Sequence, residues 1–375
     1  MSRILFFVPH PVEDAGYRYR IEQFVPFFEA AGHQCTIRAF STATLYRALR
    51  SKGKFPQKVL HMLYCSGRRL LQVTDLARFD LVIIQREVFP FFVPLLESWV
   101  LFAHPRVIFA LDDAVYLTQP NAEELNHPVL YKLKYGRGVE TVMQHSKHVI
   151  AGNRILAEHA RGFNTHVSII PTVVDCDRYR FTSQAECSTV TVGWVGSRST
   201  VSYLKQIEPA LQKLAANHPE ARFRFIGAPG YVPKIPNCES LPFRLESELE
   251  DIASLDIGLM PLPDTEWARG KCAFKAIQYM ASGVATVASP VGMASDLIQH
   301  DSNGLLATTN DEWFENLDRL VYEVGLRKRL AVEARRTIEQ SYSLQVWGPK
   351  FADLISQLVH AKKQSECAGT FVPDS

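Results

Sequence analysis

Residues 269–292 read RGKCAFKAIQYMASGVATVASPVG. A Gly-Lys step opens a run in which Phe274, Ile277 and Ala281 recur at the spacing of one buried helical face. Lys271, Lys275, Gln278 and Ser282 fall three and four apart on another stripe. Gly283 stands where such a helix stops, and residues 284–288 follow as a short buried strand. Two lysines are thereby fixed at and just after a helix N-terminus, where free backbone N–H groups and the helix dipole already favour an anion. A diphosphate is the expected guest.

A strand–helix–strand rhythm extends outward from this stretch. Residues 3–8 form a nearly continuous apolar run, suited to a strand buried on both faces of a parallel sheet. Residues 18–31 carry Ile21, Phe24, Val25 and Phe28 at helical spacing, and residues 35–40 read as the second strand. The pattern is that of a doubly wound α/β unit, whose ligands bind beyond the carboxyl ends of the strands. Three groups of polar residues emerge at such ends. Gly16, Arg18 and Arg20 come from the loop at 9–19, Arg86 follows the strand at 81–84, and Asp112 and Asp113 follow the strand at 107–111. Arg18 and Arg20 read as cations at a helix start, opposed by the dipole there and so in need of another purpose. The Asp112–Asp113 pair is open to two readings, a catalytic one and a structural bridge to Arg86. Two carboxyl groups held close together would raise the pKa of one of them.

The rhythm restarts at residues 189–195 and ends in Gly196-Ser197-Arg198-Ser199-Thr200 before a helix at 204–215. A strand, then small residues, then a helix lets backbone approach a phosphate. A strand at 222–226 leads into a second glycine loop at 227–230, and the strand at 257–260 runs through Trp267 into the lysine helix.

Taken together, these segments resemble the family-4 retaining glycosyltransferases (glycosyl transferases group 1), most closely over residues 192–343. In that family two glutamates are separated by seven residues, the second in a helix of the form Glu-Ala-Met-Ala-x-Gly. The frame IQYMASGVATVAS matches that helix, which sets Gln278 at the second glutamate and Gly270 at the first. Both carboxylates are absent.

The resemblance implies the GT-B fold, two Rossmann-like doubly wound parallel-sheet α/β domains facing a central cleft. Residues 1–173 would form the acceptor-side domain, 174–188 a linker and 189–345 the donor domain. A helix at 346–363 would cross back to the first domain, ahead of a polar, disordered tail at 364–375. It also implies metal-independent transfer of a sugar from a nucleoside-diphosphate sugar, with retention and with no cofactor beyond that substrate. Asp112, Arg198, Lys271 and Lys275 are the catalytic candidates. Donor contacts are expected from Gly196, Ser197, Arg198, Gly227, Gly270, Lys271, Cys272, Ala273, Phe274, Lys275 and Gln278. Gly16, Arg18, Arg20, Arg86 and Asp113 fall on the acceptor side. The acceptor is open among glycan, lipid-linked and small-molecule classes, a cell-envelope glycan or glycolipid included. A nucleotide-sugar-binding protein without transferase activity and a GT-B epimerase are the competing readings.

Composition narrows the partners. With Lys plus Arg 41 against Asp plus Glu 39, the chain of 375 residues has no footprint for nucleic acid. Seven scattered cysteines include no pair at metal spacing. The expectation is a reduced, cytoplasmic protein, and the opening MSRILFFVPHP reads as a first strand rather than a signal peptide. Segment 41–75 stands apart, with seven Lys and Arg residues interleaved with apolar ones and no acid before Asp75. It reads either as a solvated helix face or as a contact with an anionic membrane surface, such as the inner face of the cytoplasmic membrane. The run Asp175-Cys176-Asp177 has the form of a metal motif but opens a polar linker and reads as structural.

Overall fold

The computed structural model describes residues 1–51, 53, 55–90, 95–117, 138–181, 189–197, 200–228, 230–231 and 233–360; Arg198, part of the linker and the 364–375 tail fall outside them. Six strands build the first sheet: β1 (Ser2–Val8), β2 (His33–Ala39), β3 (Leu81–Gln85), β4 (Val107–Leu111), β5 (His148–Ala151) and β6 (Val167–Ile169). All are parallel, in the order β2-β1-β3-β4-β5-β6. The second sheet holds β7 (Thr191–Val195), β8 (Arg222–Ile226), β9 (Cys238–Leu241), β10 (Ile257–Met260), β11 (Ala285–Ala288) and β12 (Leu305–Leu306). It too is parallel, in the order β12-β11-β10-β7-β8-β9.

Helices cover both faces of each sheet, which is why the central strands are apolar throughout: Ile4 to Val8 of β1 are wholly buried. The strand order reverses between β1 and β3 in the first sheet and between β7 and β10 in the second. A crevice opens at each reversal, beyond the carboxyl ends of the strands. The segments leaving β1, β3 and β4 therefore meet those leaving β7 and β10.

Two helices expected to be continuous are broken, each for the same reason. The 18–31 segment divides into helices Ala15–Arg20 and Val25–Ala30 with a 3-10 turn, Glu22–Phe24, between them. Pro26 lacks the N–H that would bond back to Glu22, and its ring crowds that turn. Pro209 likewise starts a new helix, Glu208–Asn217, after the short Val201–Lys205 one.

The chain crosses between the domains twice, side by side. Val174 N donates to Tyr342 O at 3.2 Å and Leu344 N to Val174 O at 2.8 Å. The final helix, Leu344–His360, packs on the first domain, with Phe351 edge-on to Phe24 and Phe28 at 5.0 and 5.1 Å. Burying that one phenyl ring contributes about 1.5–3 kcal/mol to holding the helix there. Asp175 and Asp177 accept from Gln345 Nε2 at 2.8 and 3.0 Å, so this motif fastens the linker to the final helix.

Candidate functional site

The lysine helix spans Phe274–Ala281 and is entered through a tight path. A four-residue helix, Glu266–Arg269, is capped by Thr265, whose hydroxyl accepts from Ala268 N at 3.2 Å. The turn at 270–273 follows and ends at Ala273 in the left-handed region, φ 48°. Alanine occupies that region at a cost, which neighbouring structure must offset. The first domain supplies it. Asn153 Nδ2 donates to Gly270 O at 2.9 Å and Lys271 O at 3.2 Å, and Cys272 Sγ donates to Asp112 O at 3.2 Å. A Cβ on Gly152 would lie 2.5 Å from that sulfur, and one on Gly270 2.7 Å from Ala114 Cβ, so both glycines are set by close approach of the domains. Burial pushes the Cys272 thiol up to about 12, leaving it un-ionised at neutral pH.

Lys271 precedes the helix by three residues, and Lys275 is its second residue. Lys271 Nζ reaches across the gap to within 3.6 Å of Asp113 Oδ1 and lies 5.6 Å from the centre of the Trp267 ring. Lys275 Nζ stands over Trp194 of β7 at 5.5 Å. Burial, with the like charge of Lys271 added, brings the Lys275 ammonium down to about 8. Gln278 and Ser282, the rest of that stripe, are buried rather than exposed.

The opposite wall belongs to the first domain. Arg86 sits just past β3 with φ 63°, a strained backbone for a long side chain. Its Nε donates to Asp112 Oδ1 at 2.5 Å and its Nη2 to Asp112 Oδ2 at 2.9 Å and Asp113 Oδ2 at 2.8 Å. The expectation that one of the two carboxyls titrates high is therefore corrected. Burial does push Asp112 up, but the charge and hydrogen bonds of Arg86 outweigh it and hold the group below the usual carboxylate range. Gly16 belongs to the same cluster, since its carbonyl accepts from Gln85 Nε2 at 3.0 Å and its α-carbon faces Arg86.

Arg18 and Arg20 part company. Both occupy the last turn of their helix, not its start, so no dipole is opposed. Arg20 is buried and donates to Ile170 O at 2.6 Å, a bond internal to the first domain. Arg18 crosses the gap and pairs with the buried Glu248 at 2.7 Å. Glu248 also accepts from Gln278 Nε2 at 3.1 Å, and the same nitrogen donates to Tyr179 OH at 2.9 Å. Tyr179 meets Tyr19 OH at 2.9 Å, and the Tyr19 ring packs on Phe274 at 4.5 Å. No local feature of the sequence marks Glu248, Tyr179 or Tyr19 as part of the site. The Gln278 amide nitrogen, expected to serve a ligand's hydroxyls, is engaged by this network.

The two glycine loops of the second domain lie together. Gly196 N donates to Ile226 O at 2.9 Å, and Gly227, at φ 79°, passes so close that a Cβ would fall 2.0 Å from Gly196 O. Ser197 N and Thr200 Oγ1 close the first loop at 3.3 Å. Arg198 lies between them, outside the described residues.

Comparison with known proteins agrees with this geometry. Residues 188–323 match the family model "Glycosyl transferases group 1". No curated protein matches the sequence. Among solved structures, Anabaena HepE in complex with UDP-glucose has 14% identity and a TM-score of 0.68, covering 95% of this chain and 100% of its own. Sucrose-phosphate synthase from Thermosynechococcus elongatus has 13% identity, a TM-score of 0.66, and coverage of 96% and 100%. WaaG, a glycosyltransferase involved in lipopolysaccharide biosynthesis, has 13% identity, a TM-score of 0.61, and coverage of 94% and 99%. At such identities these likenesses speak for the fold, and the family model speaks for the second domain. Residues 188–323 carry the likeness to group 1 glycosyltransferases, and the chain as a whole shares the GT-B fold of these structures.

Proposed function

We propose that the protein transfers a sugar, with retention, from a nucleoside-diphosphate sugar held against the Phe274–Ala281 helix to an acceptor entering along the first domain. One observation carries the proposal: Lys271 and Lys275 both face the gap, and Lys271 comes within 3.6 Å of the opposite wall. As the bond from the anomeric carbon to the diphosphate breaks, charge builds on the leaving oxygen. Ammonium groups and helix N–H donors already in place meet that charge without rearrangement. The acceptor hydroxyl forms the new bond on the same face and passes its proton to the departing phosphate, so no protein nucleophile takes part. The two glycine loops give the nucleotide close approach to backbone. Asp112 is held ionised by Arg86 and acts by positioning that guanidinium, not as a base.

A second reading is favoured by Gly270 and Gln278, which carry no carboxylate, and by the Gln278 nitrogen's engagement with Tyr179 and Glu248. On that reading the chain binds a nucleotide sugar without transferring it. The test begins with thermal-shift measurements against the nucleoside diphosphates, uridine diphosphate first because HepE is seen with UDP-glucose. Release of the diphosphate from the matching nucleotide sugars is then followed with and without candidate acceptors. Acceptor-stimulated release is the expected result; tight binding with no release under any acceptor selects the binding protein, and conversion of the sugar without acceptor selects an epimerase. An envelope glycan or glycolipid is the first acceptor class to try, given the likeness to WaaG.

A further inference from the structure

The stripe that carries Lys275 and Gln278 has no acid of its own, since residues 269–292 contain neither Asp nor Glu. A carboxylate nevertheless stands against it, brought by another helix. Glu248 is the first residue of the short helix Glu248–Ala253, and its side chain is 6% exposed. Its Oε1 accepts from Gln278 Nε2 at 3.1 Å, and its Oε2 accepts from Arg18 Nη2 at 2.7 Å. The same Gln278 nitrogen donates to Tyr179 OH at 2.9 Å, so both amide hydrogens are committed. This accounts for the residue type at 278. A glutamate there would set a second carboxylate about 3 Å from the first, where two negative charges are not both held. The amide donates instead and holds Glu248 in place.

Position and charge both set this carboxylate beside the ligand. Gln278 follows Lys275 by three residues on one helical stripe, where Cβ atoms lie about 5–6 Å apart. A diphosphate held by Lys271 and Lys275 therefore brings the groups next to it within reach of Glu248. A bare carboxylate would repel that diphosphate, but Glu248 is neutralised from the far side of the gap. Arg18 belongs to the first domain, where it also donates to Val12 O at 2.9 Å. Tyr19 and Tyr179 complete the surround. Burial pushes both phenols up, so they keep their protons, and their hydroxyls bond each other at 2.9 Å. An ionised carboxylate has about four lone-pair positions, and the bonds to Gln278 and Arg18 take two. The others can accept from hydroxyl groups, which lysine ammonium and backbone N–H groups cannot do.

We infer that Glu248 is the carboxylate of the donor site, accepting from a hydroxyl of the nucleotide sugar beside its diphosphate. Gln278 is the positioning residue that holds it, and Arg18 balances its charge. The inference rests on the reading that the cleft takes a nucleotide sugar, which the transferase and the binding-protein alternatives share. The hydroxyl belongs either to the ribose or to the sugar.

The test compares ligands that differ in their hydroxyls. Calorimetric titration of the full chain and of Glu248→Gln would use uridine diphosphate, its 2′-deoxy and 3′-deoxy analogues, UDP-glucose and inorganic pyrophosphate. Should thermal shift favour another base, its diphosphate, deoxy analogues and nucleotide sugar take their place. Glu248→Gln is expected to weaken the ligand bearing the hydroxyl about ten- to a hundred-fold, and pyrophosphate by less than about threefold. With a ribose partner, one deoxy analogue binds the native chain as weakly as the parent nucleotide binds the variant, and the variant no longer tells the two apart. With a sugar partner, the nucleoside diphosphate is unaffected and only the nucleotide sugar loses affinity. Either pattern upholds the inference. Glu248→Asp keeps the charge but withdraws it by one methylene; it should show the same dependence on the hydroxyl at smaller size, and it serves where the glutamine variant does not fold. Equal losses for every ligand, pyrophosphate included, overturn the inference alone, because Glu248 then only fastens the domains through Arg18. So does the absence of any loss. A native chain that binds no nucleoside diphosphate takes the nucleotide-sugar reading down together with it.

Discussion

The two walls of the cleft hold their charges differently. On the second-domain wall, Lys271 and Lys275 come from one turn and one helix, lie beside the rings of Trp267 and Trp194, and repel each other. On the first-domain wall, Arg86, Asp112 and Asp113 follow two strands; the one guanidinium bonds both carboxylates, and Asp113 also faces Lys271. Within this group of five, three cations meet two anions, and the excess lies on the lysine side. A wall whose charges are mutually satisfied is organised before any ligand comes. A wall left with excess charge is organised for an ion that arrives with the substrate.

Breaking the satisfied wall should have the largest effect. Asp112→Ala leaves a half-buried Arg86 without its bidentate partner. About 3–5 kcal/mol of stability is expected to go, seen as a lower denaturant midpoint, with turnover falling alongside. Of the two readings the sequence leaves open for Asp112, such a joint loss would follow from the structural bridge to Arg86. Breaking the unsatisfied wall should do the reverse. Lys275→Ala forfeits a charge-assisted contact worth roughly 1.5–3 kcal/mol, so kcat/KM should fall about ten- to a hundred-fold. Stability should hold or rise, because a partly buried ammonium beside another cation is removed. A change in kcat/KM under about threefold would reduce Lys275 to a bystander.

This contrast also decides what could be foreseen. The lysine wall was legible because its logic is local: lysines four apart, a stopping glycine and a following strand all sit within one short stretch. The parallel sheets were legible for the same reason, as separate apolar runs with helical spacing between them. The tie from Gln278 to Glu248 spans 30 residues, from Gln278 to Tyr179 99, and from Arg18 to Glu248 230. Nothing in the neighbourhood of any of these residues announces its partner. β9 (CESL) has neither alternation nor a continuous apolar run, and only its place at the sheet edge makes it a strand. The broken helices are another matter. Pro26 and Pro209 stand in the sequence, and at both the missing N–H prevails over the helical spacing of the neighbours.

Gly270 tests the boundary between the walls at intermediate size. The resemblance of the 269–292 stretch sets this glycine at a glutamate of the family-4 glycosyltransferases, so Gly270→Glu restores a carboxylate in sequence terms. In space its Cβ would meet Ala114 of the first domain at 2.7 Å. The expected outcome is a loss of about 1–3 kcal/mol through overpacking, with no gain in transfer. A stable variant with raised activity would mean that the domains part readily at this point.

The smallest effect is the most specific to the lysine wall, because one group should give two pH dependences of opposite sign. Folding brings Lys275 from its ordinary 10.5 down to about 8. Between those values the unfolded chain binds the proton that the folded chain has released, so this residue makes stability rise with pH across that window. Donor binding runs the other way. A diphosphate favours the ammonium, so its affinity should be full below about pH 8 and decline above it, approaching that of Lys275→Ala. Urea midpoints and nucleoside-diphosphate affinities measured from pH 7 to pH 10 would show both slopes. In Lys275→Arg, whose guanidinium stays charged throughout, both should flatten. If the slopes persist in the arginine variant, another group titrates there, and the like-charge repulsion assigned to this wall has been placed on the wrong residue.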